Sequence, residues 1–339
     1  MNHMKRIFIL YTLLHIFCLY GLNSVAASEK IELKTGNAQL TIDSKNNLKI
    51  VYDNGAIQIN PPLSKLWKVT LKNKTNGRES LFIAGDKVKI SQSNDVIFLS
   101  VSKFTNNTAD VLVKAEFTIS VEDSAFYFAG SVTIENDEWT INTLDYPCID
   151  AIGFKDAKAG VYWPLGLGQY YPDPSEFKSR SARYPSGGSM AMPWFFLNTQ
   201  NDGLYVGSHD TLQDTKVFNL EYDKVTDKFS THISAEVFDS KYSIPDIIIK
   251  PYQGEWYAAA KFFRGWYDQH FEIGTPPEWV KDDSGWLLAI LKQQNMEIMW
   301  PYKEIDKLCD IAEQFNLTTI GLFGWGFGGH DHLYPYYTP

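Results

Sequence analysis

The chain has 339 residues, 44% hydrophobic, 15% aromatic and 21% charged, a composition that excludes a disordered, collagen-like or low-complexity protein. A formal charge of −9 and a pI near 5.3 exclude the basic footprint of a nucleic-acid binder, so no nucleic-acid partner is expected. Cysteines at 18, 148 and 309 make no disulfide framework, and no Cys-x-x-Cys or paired Cys/His spacing suggests structural zinc.

Lys5 and Arg6 precede an apolar stretch from Ile7 to Leu22, and Ser24-Val25-Ala26-Ala27 supplies small residues for cleavage, so 1–27 reads as a signal peptide. The apolar run falls short of the roughly 20 residues that span a bilayer, which disfavours an uncleaved anchor. Cys18 follows the bulky Phe17, a poor fit to a lipid-attachment signal. The expectation is an exported protein, periplasmic, cell-surface or secreted, with no stable membrane span after cleavage.

Residues 28–251 read as a β-sandwich domain. Apolar and polar residues alternate in Ala38–Ile42, Leu48–Tyr52 and Val111–Ile119, the signature of strands with one buried and one wet face. Asn46-Asn47, Asn54-Gly55, Asn76-Gly77 and Asp202-Gly203 punctuate the runs with residues that tolerate hairpin-turn dihedrals. Strands recurring without helical periods predict a large antiparallel sandwich, longer than an immunoglobulin-sized module of about 100 residues.

The period changes over 252–277. Trp256, Ala259, Phe263, Trp266 and Tyr267 recur at helical spacing before Gly274-Thr275-Pro276-Pro277 ends the segment, predicting a linker helix and a connection. In 278–339 the apolar run Trp286–Leu291, a helical stripe of Ile305, Leu308, Cys309, Ala312 and Phe315, and the run Thr319–Trp325 predict a βαβ unit with parallel strands. Such strands are apolar on both faces and need covering, yet a (β/α)8 barrel takes about 250 residues. The segment is therefore expected to be the start of an incomplete barrel, with a sandwich appendage as the alternative.

A secreted β-rich domain, an aromatic helix of the form Trp-Tyr-x-Ala-Ala-x-x-Phe-x-x-Trp from Trp256 to Trp266, and opening barrel strands resemble large glycoside hydrolases of the α-galactosidase and α-glucosidase superfamily. The stretch Leu322-Phe323-Gly324-Trp325-Gly326-Phe327-Gly328-Gly329-His330-Asp331, followed by Tyr334-Pro335, is similar to exported bacterial glycoside-hydrolase-like proteins. The resemblance implies an N-terminal β-supersandwich before a catalytic barrel, and a carbohydrate substrate or ligand. Its specific residues lie mainly after 255.

Gly328-Gly329 allows a sharp bend just after an apolar strand, and barrel enzymes keep their chemistry at the C-terminal ends of strands. Asp331 suits hydrogen bonds to adjacent sugar hydroxyls, Trp325 offers a ring face to sugar C–H groups, and His330 stands beside them. Metal binding by His330, Asp331 and His332 is disfavoured because three near-consecutive residues seldom converge on one ion, and a purely structural turn is the remaining alternative. No cofactor is expected. A second set lies in Gly- and Pro-rich, aromatic stretches of the sandwich: Trp163, Arg183, Tyr184 and Trp194, expected either to reach a sugar or to pack an interdomain surface. Ser186-Gly187-Gly188 there lacks the Lys-Ser/Thr of a nucleotide loop.

Glycoside hydrolysis generally uses two carboxyl groups across the scissile bond. Asp282 and Asp283 precede a strand at the wrong end of a barrel, Asp306 and Asp310 sit on a helix, and His209-Asp210 has no accompanying nucleophile pattern. No catalytic residue is assigned. Two readings follow: the N-terminal portion of an exported glycoside-hydrolase-like protein, inactive alone, or a noncatalytic carbohydrate-binding or structural β-sandwich protein.

Overall fold

A computed structural model describes residues 31–332, apart from 85–87, 102–103, 106–110, 156 and 186–188. The predicted signal peptide, the Tyr334-Pro335 pair and the Ser186-Gly187-Gly188 stretch lie outside the described residues. The chain divides after Phe271 into two compact units.

The first unit is almost entirely strand. It opens with the meander β1 (Ile31–Thr35), β2 (Ala38–Ile42), β3 (Leu48–Tyr52) and β4 (Ile57–Ile59), then β5 (Lys68–Asn73), β6 (Glu79–Ala84), β7 (Val88–Ser93), β8 (Val96–Val101) and β9 (Phe104–Thr105). Long strands follow: β10 (Val113–Glu122), β11 (Ala125–Ile134) and the 16-residue β12 (Trp139–Phe154). Next come β13 (Gly160–Trp163), β14 (Gln169–Tyr171), the single turn α1 (Pro174–Phe177), β15 (Ser179–Tyr184), β16 (Trp194–Asn198), β17 (Asp202–His209), β18 (Lys216–Asp223), β19 (Lys228–Asp239) and β20 (Lys241–Gln253). The helix α2 (Trp256–His270) closes the unit.

Among the described residues these strands make two antiparallel sheets. One runs β1-β2-β3-β4-β12-β19-β18-β15, with β5, β6 and β9 joined through β12; the other runs β14-β13-β16-β17-β20-β11-β10-β8-β7. The large antiparallel sandwich expected from the alternation is what forms. In β2 and β3 every second residue is buried, so Leu40, Ile42, Leu48 and Ile50 face inward while Gln39, Thr41 and Lys49 do not. Both sheets supply the core between them, where Trp67 stacks on Phe117 at 4.5 Å and Phe117 on Tyr146 at 4.5 Å. Each such side chain contributes about 1.5–3 kcal/mol by leaving water.

Turn chemistry follows the sequence with one correction. Asp43 accepts from the backbone N–H of Lys45 and Asn47, both at 2.8 Å, and Asn46 takes a left-handed φ of 60° between β2 and β3. Asp202-Gly203, expected to be a turn, instead begins β17. The reversal is made by 199–202, where Thr199 Oγ1 accepts from the Asp202 N–H at 3.0 Å.

The part of the outer face of the second sheet formed by β16, β17 and β20 is covered by α2. Ala259 and Phe263 are buried against Phe196, Tyr205, Ile248 and Tyr252, because those positions alternate with core positions on β16, β17 and β20. The second unit holds α3 (Glu278–Lys281), β21 (Trp286–Ile290), α4 (Ile305–Gln314) and β22 (Thr319–Phe323). Its strands pair in parallel from Trp286↔Thr319 to Ile290↔Phe323, and α4 packs Leu308 and Ala312 on one side of them. The other side exposes Trp286, Leu288 and Phe323 at 59%, 50% and 39%. No described helix is long and apolar enough to cross a membrane.

Candidate functional site

The parallel register of β21 and β22 brings both C-terminal ends out side by side, and backbone bonds hold the departing segments together. Leu291 N donates to Phe323 O at 2.8 Å, and His330 N donates to Lys292 O at 2.9 Å. Gly324 and Gly329 make that approach possible. A Cβ on Gly324 would stand 2.2 Å from Lys292 O, one on Gly329 2.2 Å from Gln293 O, and both glycines have left-handed φ, 64° and 80°. Lys292 Nζ donates to Phe327 O at 3.1 Å, and the Tyr302 hydroxyl donates to Trp325 O at 2.6 Å.

On this frame Trp325 is 41% and Phe327 61% exposed, so two aromatic faces reach solvent. Asp331, with a left-handed φ of 51°, has a half-exposed carboxylate 3.4 Å from Nε2 of the more buried His330. Asp is among the few non-glycine residues that take this conformation readily, as Asn46 does between β2 and β3. His330 also meets Phe323 edge to face at 5.6 Å, and His332 Nδ1 donates to Gly328 O at 3.1 Å, committing that ring to the backbone. Trp325, His330 and Asp331 thus occupy one loop, with ring faces, an imidazole and a carboxylate available together. Among the described residues no three His, Cys, Asp or Glu side chains are grouped to hold a metal ion.

The sandwich candidates do not converge. Trp163, expected either to reach a sugar or to pack an interdomain surface, is 1% exposed: its position on β13 turns it into the sandwich core, against Phe177 at 5.4 Å and Phe195 at 5.6 Å. Trp194 lies on the opposite face of the same sheet, stacked on Phe196 at 5.1 Å and meeting Phe263 of α2 at 6.0 Å. Arg183 and Tyr184 belong to β15 at the edge of the other sheet. Arg183 pairs with Glu236 at 2.6 Å, while Tyr184 packs half-buried on the core. The loops carrying these residues are nevertheless tied together: Gly166 N donates to Ser189 O at 3.0 Å and Ala191 N to Pro164 O at 2.8 Å.

Three other titratable groups that the sequence singled out have structural partners. His209 is buried, stacked on Trp266 at 4.5 Å with Nε2 3.1 Å from the Tyr205 hydroxyl, and burial, then the nearby His270, lowers its pKa to about 3. Asp210 forms a buried ion pair with Lys216. Asp283 accepts from Thr318 Oγ1 at 2.5 Å and Thr319 Oγ1 at 2.9 Å, which hold its carboxyl below the ordinary range and clip the N-terminal ends of β21 and β22 together. Asp306 and Asp310 are exposed on α4. Lys292 and Tyr302, which shape the exit loop of β22, carried no sequence signal. Each is an unremarkable polar residue near a strand or helix end.

No protein-family profile matches the sequence, and no curated protein matches it. Solved structures do. An α-N-acetylgalactosaminidase from Bifidobacterium bifidum in complex with GalNAc is similar with a TM-score of 0.65 at 12% identity, over 91% of this chain and 54% of that one. Its complex with Gal-NHAc-DNJ gives 0.64 at 12% identity, over the same shares of the two chains. The chain spans about half the length of these structures, and its fold is glycoside-hydrolase-like.

Proposed function

We propose that this chain is the glycan-binding N-terminal portion of an exported glycoside-hydrolase-like protein, and that its βαβ unit opens a (β/α)8 barrel. The observation that carries the reading is the exit loop of β22. Trp325 and Asp331 stand exposed at the C-terminal ends of parallel strands, on backbone fixed by its neighbour, which is where barrel enzymes keep substrate-binding groups. In this reading Trp325 packs on a sugar C–H face, Asp331 accepts from hydroxyls and His330 orients the carboxylate. The exposed apolar side of β21 and β22 supports further barrel elements over it.

The GalNAc bound in the Bifidobacterium enzyme makes methyl α-N-acetylgalactosaminide the first ligand to titrate, with methyl α-galactoside second. Calorimetry is expected to give binding that Trp325→Ala and Asp331→Asn each weaken about tenfold, the loss of a stacked ring or a charge-assisted hydrogen bond. Binding unchanged in both variants overturns the site.

A noncatalytic glycan-binding protein is the second reading. It is favoured by Asp283, whose carboxylate is clipped between threonines at the strand ends remote from Asp331 and so offers that residue no catalytic partner. Both readings expect no release of nitrophenol from 4-nitrophenyl α-N-acetylgalactosaminide by this chain. Turnover by it would place a complete carboxylate pair within these residues.

A further inference from the structure

The outer face of the second sheet carries an aromatic surface that the proposed function does not use. Register sets Tyr170 of β14 opposite Tyr162 of β13, and Tyr162 opposite Phe196 of β16. Alternation sends all three rings to the face turned away from the sandwich core, and Trp256 at the start of α2 lies beside them. The rings are close to parallel: Tyr162 and Tyr170 are 4.2 Å apart at 26°, Tyr162 and Trp256 6.1 Å at 25°, and Phe196 and Trp256 6.4 Å at 6°. On the opposite face of the same strands the packing is edge-on, with Trp163 and Tyr171 meeting Phe177 at 67° and 78°. Phe196 is the buried floor of the outer group, whereas Tyr170 is 53% and Trp256 45% exposed. Gly160 lets the Tyr170 ring lie down on β13, since a Cβ there would stand 2.8 Å from it.

We infer that Tyr170 and Trp256, supported by Tyr162 and Phe196, form a surface platform that binds a neutral glycan. A pyranose has polar edges and C–H faces of slight positive charge, and the face of an aromatic ring is negative, so flat, parallel, exposed rings match stacked sugar faces. The rim is complementary as well. Burial first, then Tyr170 and Glu255, raises the pKa of the Tyr162 hydroxyl to about 12, keeping the phenol protonated. The Glu255 carboxylate near this rim suits hydroxyl donors and disfavours anionic polymers. Only the ligand's class rests on the proposed function, because the platform uses no residue of the β22 exit loop.

The test uses the full chain in native gels containing galactomannan, arabinogalactan or xyloglucan. Retarded migration in at least one is expected. Tyr170→Ala and Trp256→Ala should each weaken association about tenfold, the worth of one stacked ring, while Tyr170→Phe retains most of it. The same gels run with the double variant Trp325→Ala/Asp331→Asn, which removes the exit-loop site, read the platform alone: retardation that persists there and falls with Tyr170→Ala or Trp256→Ala belongs to the platform, so failure of the exit-loop site and failure of the platform are separable. Near-UV circular dichroism checks that the variants fold. Protection of Trp256 in the unaltered chain from N-bromosuccinimide by the retarding glycan, read by mass spectrometry, supports the platform without any substitution. Unretarded migration in all three glycans overturns the inference, as does wild-type retardation in both alanine variants. Self-association lost in Leu167→Asp, together with unretarded migration, would overturn it in favour of a protein contact at this sheet edge, where Leu167 is fully exposed.

Discussion

His209 shows how one buried side chain ties stability to pH. Its pKa is lowered to about 3 by burial and then by His270, from an ordinary 6.5, so the folded state holds it neutral while the unfolded chain protonates it. The associated stability is fully present above pH 6.5 and is lost as pH falls towards 3. His209→Phe keeps a ring against Trp266 and cannot be protonated. The thermal midpoint of this variant, followed by circular dichroism, should fall less steeply than wild type between pH 6.5 and 4.5, where few carboxylates titrate; His232, lowered mainly by burial, accounts for slope that remains. An equal slope in both proteins would place the acid sensitivity elsewhere. Trp163 presents a different case. Its Gly- and Pro-rich surroundings suggest a ligand loop, but its ring fills the core, so Trp163→Ala should cost about 3–5 kcal/mol in denaturant unfolding and leave calorimetric sugar affinity unchanged in the remaining folded protein. The four-residue β13 is too short to display the alternation that would have revealed an inward-facing Trp163.

At the scale of elements, legibility follows periodicity. β2 and β3 carry the bounds that alternation predicts, and α2 starts at Trp256, because those patterns are local. What covers a face is decided by distant residues, and so the packing of Trp194 against α2 was not readable, whereas the continuous apolar runs of β21 and β22 already showed that both their faces need cover. The exit loop of β22 was legible in its residue types but not in its fastening, since Lys292 and Gln293 belong to another segment. Asp283 fastens the opposite end. Its contribution is present above the ordinary carboxylate range and fades as pH falls through its lowered folded pKa. Asp283→Asn should therefore raise hydrogen exchange in β21 and β22 at neutral pH, and the difference from wild type should shrink in acid. Unaltered exchange at neutral pH would show that the threonine contacts do not hold the strand ends.

For the whole molecule, the division after Phe271 coincides with an exposed run, 272–280, that includes Gly274-Thr275-Pro276-Pro277. Limited proteolysis should cut there first and release a fragment ending near Phe271, identified by mass; first cleavage within β10–β12 instead would contradict the two-unit arrangement. The mainly antiparallel sandwich was legible because its many strands repeat one simple pattern. The candidate site was only partly so, since its geometry depends on two chain segments meeting at the strand ends. That meeting has an evolutionary consequence. Gly324 and Gly329 lean on the carbonyls of Lys292 and Gln293, so the path of the exit loop is written by its neighbour's backbone and not by the loop's own side chains. Ligand preference can drift through the side chains at 325 and 327 while this path keeps its form, whereas 331 is held to Asp, Asn or Gly, the residues that accept its left-handed φ.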